Sequence, residues 1–416
     1  MAESVQTKPK LQGKQLLVMV ALCCAYFFAP TFSAISSTLS LLPDHYGILA
    51  ADASWVTTLA NPLAALAGLL CGIFVGKKIS YRNTMILALI LFAVCGGLPA
   101  LWHDIPFAAL LASRLLFGLG CGCINPVVQA VITHMFESET ARSACIGIVN
   151  IIFSAGATLG SIITGALSMD GTWQNAYLFY LFAIIPLVLV ILFVHDKDIV
   201  GDKEEEEKAA ADDKPKEKAK VPAVAWVFMA MFFVALICTQ TFFGYAGIAI
   251  AESGADTLMI GTVFSVFTVA GMVVALVFAP LWNGLRLFCF PVATLLFVIG
   301  YALCLLGYST GSIALFFAAS IVIGVGCCVS GMVMPMVMSV TVAPAALTLA
   351  IGCQEVARNM GGFFSSFWLS TVGRIFGDTA TTQFWAILIL ALILTVIGFV
   401  VAGIYNKQFK NAKAEK

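Results

Sequence analysis

Charge is what this chain has least of. Asp, Glu, Lys and Arg make up 11% of its 416 residues, where a soluble domain carries about 25%. Hydrophobic residues make up 61% and mean hydropathy is +1.00, so an ordinary soluble globule is excluded. Chemistry motifs are missing as well. No G-x-x-x-x-G-K-[ST] loop occurs, which removes ATP as an energy source. Four histidines, His45, His103, His134 and His195, fall near the ends of apolar runs. No H-E-x-x-H or nucleophile-elbow pattern accompanies them, and an enzyme is not expected. Thirteen cysteines form no paired C-x-x-C elements; Cys121 and Cys123 make a C-x-C, and Cys23–Cys24 and Cys327–Cys328 are adjacent. All lie in apolar runs, where a thiol serves as a small packing group, so no metal site is expected. With 22 basic and 22 acidic residues the net charge is zero, and no nucleic-acid partner is expected.

What is present is apolar sequence in long runs of roughly 20–28 residues, the length a helix needs to cross hydrocarbon. They lack the alternation of barrel strands, so helices are the only way to satisfy the backbone. The spans lie near 15–41, 53–76, 84–102, 107–134, 143–168 and 175–195, then 222–251, 257–281, 288–308, 312–341, 346–375 and 382–405. The expected fold is an all-α polytopic membrane protein with twelve transmembrane helices in two pseudo-symmetric six-helix bundles. The chain divides into a tail over 1–14, a bundle over 15–195, a charged linker over 196–221, a second bundle over 222–406 and a tail over 407–416. The linker region, HDKDIVGDKEEEEKAAADDKPKEKAKVP, has the charge density of a solvated segment, disordered or loosely helical. The first run superficially resembles a signal peptide, but the many later spans make an uncleaved helix the expectation.

Basic residues orient the spans. Lys8, Lys10, Lys14, Lys77, Lys78, Arg82, Arg142, Arg286, Lys407, Lys410 and Lys413 share one side with the linker. The other side carries Arg374 and the acids Asp44, Asp52, Asp104, Asp170, Glu252, Asp256 and Asp378. Positive charge stays inside, so both tails and the linker are expected in the cytoplasm, in a cell membrane. The halves also echo one another. GLGCGC begins at Gly118 and GVGCCV at Gly324, 206 residues later; SAGATLGS around Gly156 meets NMGGFFSS around Gly362 at the same offset. Together with six spans on each side of the linker, this favours a duplicated unit.

The chain resembles the major facilitator superfamily over nearly its whole length. The family's fourth-span arginine and following G-x-G run correspond to Arg114, Gly118, Gly120 and Gly122. Its fifth-span antiporter motif corresponds to GATLGSIITG, Gly156 and Gly160 included, with Ser161 in place of proline and Thr164 in place of a glycine. The cytoplasmic gate loop between spans two and three reads GIFVGKKISYRN. It has Lys77, Lys78 and Arg82 but lacks the family's aspartate. WQNAYLFY from Trp173 resembles the start of the sixth span. The resemblance implies paired six-helix halves with a site near the bilayer midplane. It also implies partial likeness to drug–proton antiporters.

Polar residues inside the spans are the candidate site. At about 100° per residue, Arg114, Asn125, Gly118, Gln129 and Gly122 share one stripe at 0°, 20°, 40°, 60° and 80°. Such a stripe suits a helix that lines a hydrated cavity or lets a neighbour approach. Arg114 reads as an anion or coupling site, or as a cap on a neighbouring helix's carbonyls. In the eleventh span, Arg358 falls about 40°, Glu355 about 100° and Asn359 about 140° around the helix from Gln354, opposite an apolar arc. Glu355 and Arg358 are i,i+3 neighbours able to pair. Intramembrane charges by default mark a pathway. Tyr26, Asn61, Asn150, Gln240 and Tyr245 are candidate cavity-lining residues. Pro30 is a further cavity-lining candidate, and SGMVMPMVMS in the tenth span combines a proline break at Pro335 with Met332, Met334, Met336 and Met338, an adaptable apolar row. The first span has no acid to bind a cation.

The expected function is secondary active transport of a small organic solute by alternating access. With no ATP site and no cofactor, an ion gradient, of protons, would supply the energy. Glu355 would carry the proton, being the only acid deep in a span. An anion engaging Arg358 or Arg114 would loosen the Glu355–Arg358 pair and let Glu355 take up a proton. Embedded charge of +1, from Arg114, Arg358 and Glu355, favours an anionic or amphipathic solute. A metabolite or multidrug efflux antiporter is the alternative, and a non-transporting sensor is the alternative of another class. Solute and bilayer are the expected partners, and a monomer is expected.

Overall fold

The computed structural model describes residues 13–76, 78–136, 139–196, 221–342 and 344–414. Most of the expected N-terminal tail, Lys77 and most of the charged linker lie outside the described residues. So do the side chains of Lys14, Arg142, Lys407, Lys410 and Lys413. Among the described residues the fold is all helix, without a strand.

Twelve long helical segments follow in order. They are α1 (Gln15–Tyr46), α2 (Ala50–Phe74), α3 (Tyr81–Leu101), α4 (Phe107–Met135), α5 (Glu139–Leu167) and α6 (Trp173–Phe193). After the linker come α7 (Ala223–Glu252), α8 (Thr257–Leu285), α9 (Cys289–Thr310), α10 (Ile313–Thr341), α11 (Pro344–Phe376) and α12 (Ala380–Ala414). Eleven regions of the described chain are apolar and long enough to cross a membrane. The exception is α11, whose 33 residues are diluted by Gln354, Glu355, Arg358 and Asn359. Outward-facing side chains such as Leu276, Val273, Ile389, Ile393 and Val400 remain more than half exposed. That apolar belt fits lipid and not water.

Buried apolar residues fall into two clusters. One draws on Val18 to Val194, the other almost wholly on Ala225 to Ala402, with Ala51 reaching across from the first half. Within each bundle, glycines set the closest helix approaches. A Cβ on Gly118 or Gly122 of α4 would run into the backbone of Ala60 or Ala64 in α2, and one on Gly120 into Ala88 and Phe92 of α3. The second bundle repeats the arrangement. Gly324 of α10 lies on the Phe267 carbonyl of α8, and Gly326 lies on Ala293 and Phe297 of α9. Small residues let backbones meet where no hydrophobic force drives helices together.

The echo at Gly156 shifts by one position. Gly156 of α5 lies on the Phe27 carbonyl of α1, and its counterpart on Phe233 of α7 is Gly361, not Gly362. Gly362 instead turns toward Asn61 of α2, across the bundle boundary.

The first helix does not run straight. Its regular α-helix ends at Phe27 and gives way after Pro30 to a 3₁₀ stretch over Thr31–Leu41. Proline cannot donate a backbone hydrogen bond, so the regular ladder fails there. Irregular backbone inside a bilayer must find partners in the protein. Three side chains supply them: Tyr180 Oη donates to the Thr31 carbonyl at 2.6 Å, an Arg114 nitrogen to Phe32 at 2.9 Å, and Thr164 Oγ1 to Ala34 at 2.7 Å.

Candidate functional site

The two bundles are joined mainly toward the face that carries the acidic loops. At the α2–α11 seam, Ser54 Oγ and Thr58 Oγ1 both meet Ser366 Oγ, and Trp55 Nε1 donates to Ser370 Oγ at 3.1 Å. Ser370 Oγ in turn donates to Asp52 Oδ1 at 2.6 Å, and Arg374 pairs with Asp52 Oδ2 at 3.3 Å. Asp378 Oδ2 accepts the Ala51 amide at 3.0 Å, while its other oxygen accepts Tyr245 Oη at 3.0 Å. Trp55 also packs on Phe363 and Phe367, with ring centroids at 5.5 and 4.7 Å. The α5–α8 seam is built differently. Gly261 sits on the Ser161 carbonyl, Thr257 Oγ1 donates to Gly165 and Ser265 Oγ to Thr158, each hydroxyl at 2.8 Å. Ser161 and Gly165 therefore serve close packing between bundles.

Deeper toward the linker face the polar residues open out. Glu355 and Arg358 pair at 2.9 Å through Oε2 and Nε, with side chains still 47% and 44% exposed. Lipid does not account for that exposure. Glu355 lies eleven residues before Ser366, about 20° away in azimuth, so it faces the other bundle. Across from the pair stands Tyr26 of α1, whose hydroxyl is within electrostatic range of both Glu355 and Arg358. Tyr26 Oη donates to Asn125 Oδ1 at 2.6 Å, and Gln129 Nε2 donates to the same oxygen at 3.0 Å. Asn359 Nδ2 donates to the Glu355 carbonyl at 2.8 Å. Gln354 and Asn61 are both buried, and Gln354 Oε1 and Asn61 Nδ2 have no hydrogen-bond partner among the described residues. Tyr26, Asn125 and Gln129 thus form one hydrogen-bonded set on the first bundle, and Glu355, Arg358 and Asn359 a second on α11; we propose that the two sets are facing walls of one crevice between the bundles.

Arg114 is not part of it. Its side chain is 0% exposed. Nε donates to the Val56 carbonyl at 3.1 Å and one terminal nitrogen to Phe32, while Phe117, Tyr180 and Tyr177 surround the guanidinium at 4.4, 5.2 and 5.9 Å. The geometry is that of a carbonyl cap braced by cation–π contacts. At the offset that relates Gly118 to Gly324, the position matching Arg114 is Ser320, whose hydroxyl donates to the Val263 carbonyl of α8. Arg114 performs the same joint in the first bundle and additionally holds the broken segment of α1. The charge left facing the crevice is that of Glu355 and Arg358, which cancels. The +1 that favoured an anion was Arg114's.

Other candidates separate as well. Tyr245 is buried and engaged with Asp378 at the closed face. Asn150 is exposed and Gln240 half-buried, neither hydrogen-bonded among the described residues. At the linker face Lys78 lies over the Phe74 ring at 5.7 Å. Arg82 caps the end of α6, donating from its guanidinium to Ile191 at 2.7 Å and from its backbone to Asp196 at 3.3 Å. Of the residues that close the opposite face, the sequence marks Asp52, Arg374 and Asp378 as orienting charges and Tyr245 as a cavity-lining candidate, and it does not single out Ser54, Trp55, Thr58, Ser366 or Ser370. Their signal was the repeated Ser/Thr at four-residue spacing, Ser54/Thr58 and Ser366/Ser370, on helices that otherwise face apolar neighbours.

Comparison with known proteins agrees with the fold. Residues 21–366 match the Major Facilitator Superfamily. The MFS efflux transporter aclA of Aspergillus oryzae is 27% identical over 199 residues, 44% of this chain and 33% of that one. The vacuolar membrane amino acid uptake transporter fnx2 of Schizosaccharomyces pombe is 25% identical over 164 residues, 38% of this chain and 26% of the relative. The chain therefore spans about a third or less of these two relatives. A solved structure of the nucleoside transporter NupG superposes with a TM-score of 0.75 at 11% identity, covering 93% of this chain and 99% of that one. The likeness is one of fold.

Proposed function

Because the chain belongs to the Major Facilitator Superfamily, we propose that it is a secondary transporter that moves a small organic solute across a membrane by alternating access. One observation carries this most: hydrogen bonds between the bundles cluster at the acidic-loop face, while charged and amide side chains at mid-helix stay exposed toward the linker face. A two-faced carrier caught with one gate closed would have this asymmetry. Glu355 is the proposed proton carrier. Its carboxylate is half exposed and, among the described residues, Arg358 is the one charged group that holds it. A solute that breaks the Glu355–Arg358 pair would change the proton affinity of Glu355, linking solute and proton movement. The acidic-loop face is taken as external and the linker as cytoplasmic, on the distribution of basic residues; the cell membrane is the proposed location.

The test is flux in proteoliposomes under an imposed pH gradient. Glu355→Gln is expected to exchange solute in counterflow at raised solute concentration but not to accumulate it. Accumulation by that variant sinks the proton assignment. Counterflow also separates a carrier from an open pore, and deleting residues 200–218 without loss of flux counts against a sensor. Efflux is the second reading of direction; the relative named for efflux and the fifth-span likeness to antiporters support it, and the relative named for uptake supports the converse.

A further inference from the structure

We propose that the crevice binds a small zwitterion, its carboxylate toward Arg358 and its ammonium toward Glu355. The proposal rests on the solute-carrier reading above and names the class of solute.

Four observations converge. First, among the described residues the charges that face the crevice are one acid and one base. Arg114, which would have tipped the balance toward anions, is enclosed at 0% exposure. A simple anion would meet Arg358 but be repelled by Glu355, and a simple cation would meet the reverse. Second, the Glu355–Arg358 bond is a single contact from Nε to Oε2. Oε1 of Glu355 and the two terminal guanidinium nitrogens have no partner among the described residues, so each group keeps capacity for a ligand. Third, two buried amide atoms that flank this pair, without a partner among the described residues, have matching polarity. The acceptor Gln354 Oε1 belongs to the residue beside Glu355. The donor Asn61 Nδ2 lies against Gly362, one turn beyond Arg358. Fourth, the facing wall of Tyr26, Asn125 and Gln129 is polar but uncharged, so it adds no net preference for either sign.

The spacing sets the size. Positions 355 and 358 are about 4.5 Å apart along the helix. A molecule whose ammonium and carboxylate are separated by one or two carbons can reach both. Its carboxylate end points toward the closed face and its ammonium end toward the linker face. Occupancy replaces the internal ion pair with two ligand pairs, so neither charge is left unpaired in the crevice.

The experiment uses the full chain in detergent and reads ligand-induced thermal stabilisation. Probes are the common free amino acids, each with its N-acetyl derivative, which is anionic, and its amide, which is cationic. At least one free amino acid is expected to bind about tenfold or more tightly than both of its derivatives, the size of a lost charge-assisted hydrogen bond. Glu355→Gln is expected to shift preference toward the N-acetyl form, and Arg358→Gln toward the amide. Equal or tighter binding of a singly charged derivative to the wild-type protein overturns the proposal, as does binding of no free amino acid at all. The wild-type series decides the class even if a variant fails to fold. Counterflow of the bound amino acid then tests the carrier reading separately: binding without exchange leaves the zwitterion site standing and sinks transport.

Discussion

Replacing Arg114 by methionine distinguishes a carbonyl cap from a solute contact. Methionine keeps length and apolar bulk but removes every donor. The carbonyls of Val56 and Phe32 then lose the 3.1 and 2.9 Å bonds that hold them. Each buried acceptor left unpaired costs about 1–3 kcal/mol. Loss of the three aromatic contacts adds about 0.5–2 kcal/mol. Relief from burying a guanidinium without an acid offsets part of this. A net destabilisation of about 2–5 kcal/mol is expected, concentrated where α1 leaves its helical path. Ser320→Ala, at the equivalent joint, removes one neutral bond and should cost only about 1 kcal/mol. Arg114→Lys keeps the charge but cannot present two fixed donors in a fork, and most of the loss should persist. The assay is thermal unfolding of purified variants alongside solute affinity of the folded fraction. If Arg114→Met melts like the wild type while solute affinity falls tenfold or more, the capping argument is wrong.

Three further outcomes follow from the packing. Gly122→Leu pushes a branched side chain into the backbone of Ala64 and should destabilise by about 1–3 kcal/mol or more; a monodisperse size-exclusion peak with unchanged melting would contradict it. Gly324→Leu at the repeated joint on Phe267 should behave alike, whereas Gly147→Leu, with open space around its Cβ position, should not. Combining Asp52→Asn with Asp378→Asn weakens the closed face by about 1.5–3 kcal/mol per charge-assisted contact removed. That is about tenfold or more in the balance between faces. Spin labels at Asp104→Cys and Ser309→Cys, with the native cysteines replaced, should report a longer distance across that face; an unchanged distance distribution would count against these carboxylates as a latch.

Helix number and the two-bundle repeat were legible in the residue order, and most boundaries to within a few residues; α1 runs on to Tyr46 and α12 to Ala414, beyond the expected 41 and 405. A bilayer forces about 20 apolar residues per crossing and forces polar groups to the ends. The i,i+3 pairing of Glu355 with Arg358 was legible too, because both partners lie on one helix. Contacts between helices were not. Asn125 and Arg114 share a stripe on α4, yet one faces the crevice and the other is sealed, about 16 Å apart along the axis. Nothing local to α4 distinguishes them.

The sequence by itself determined that this is a helical membrane protein of two related bundles, since hydrocarbon solvent leaves a chain of this composition one kind of backbone. The tertiary structure decided which buried charges face water and which serve the backbone. Pro30 precedes the 3₁₀ stretch that contains Phe32; Arg114, 82 residues away, meets the Phe32 carbonyl only once six helices have packed. The carbonyl's demand for a donor, and not Arg114's own surroundings in sequence, fixed the arginine's role.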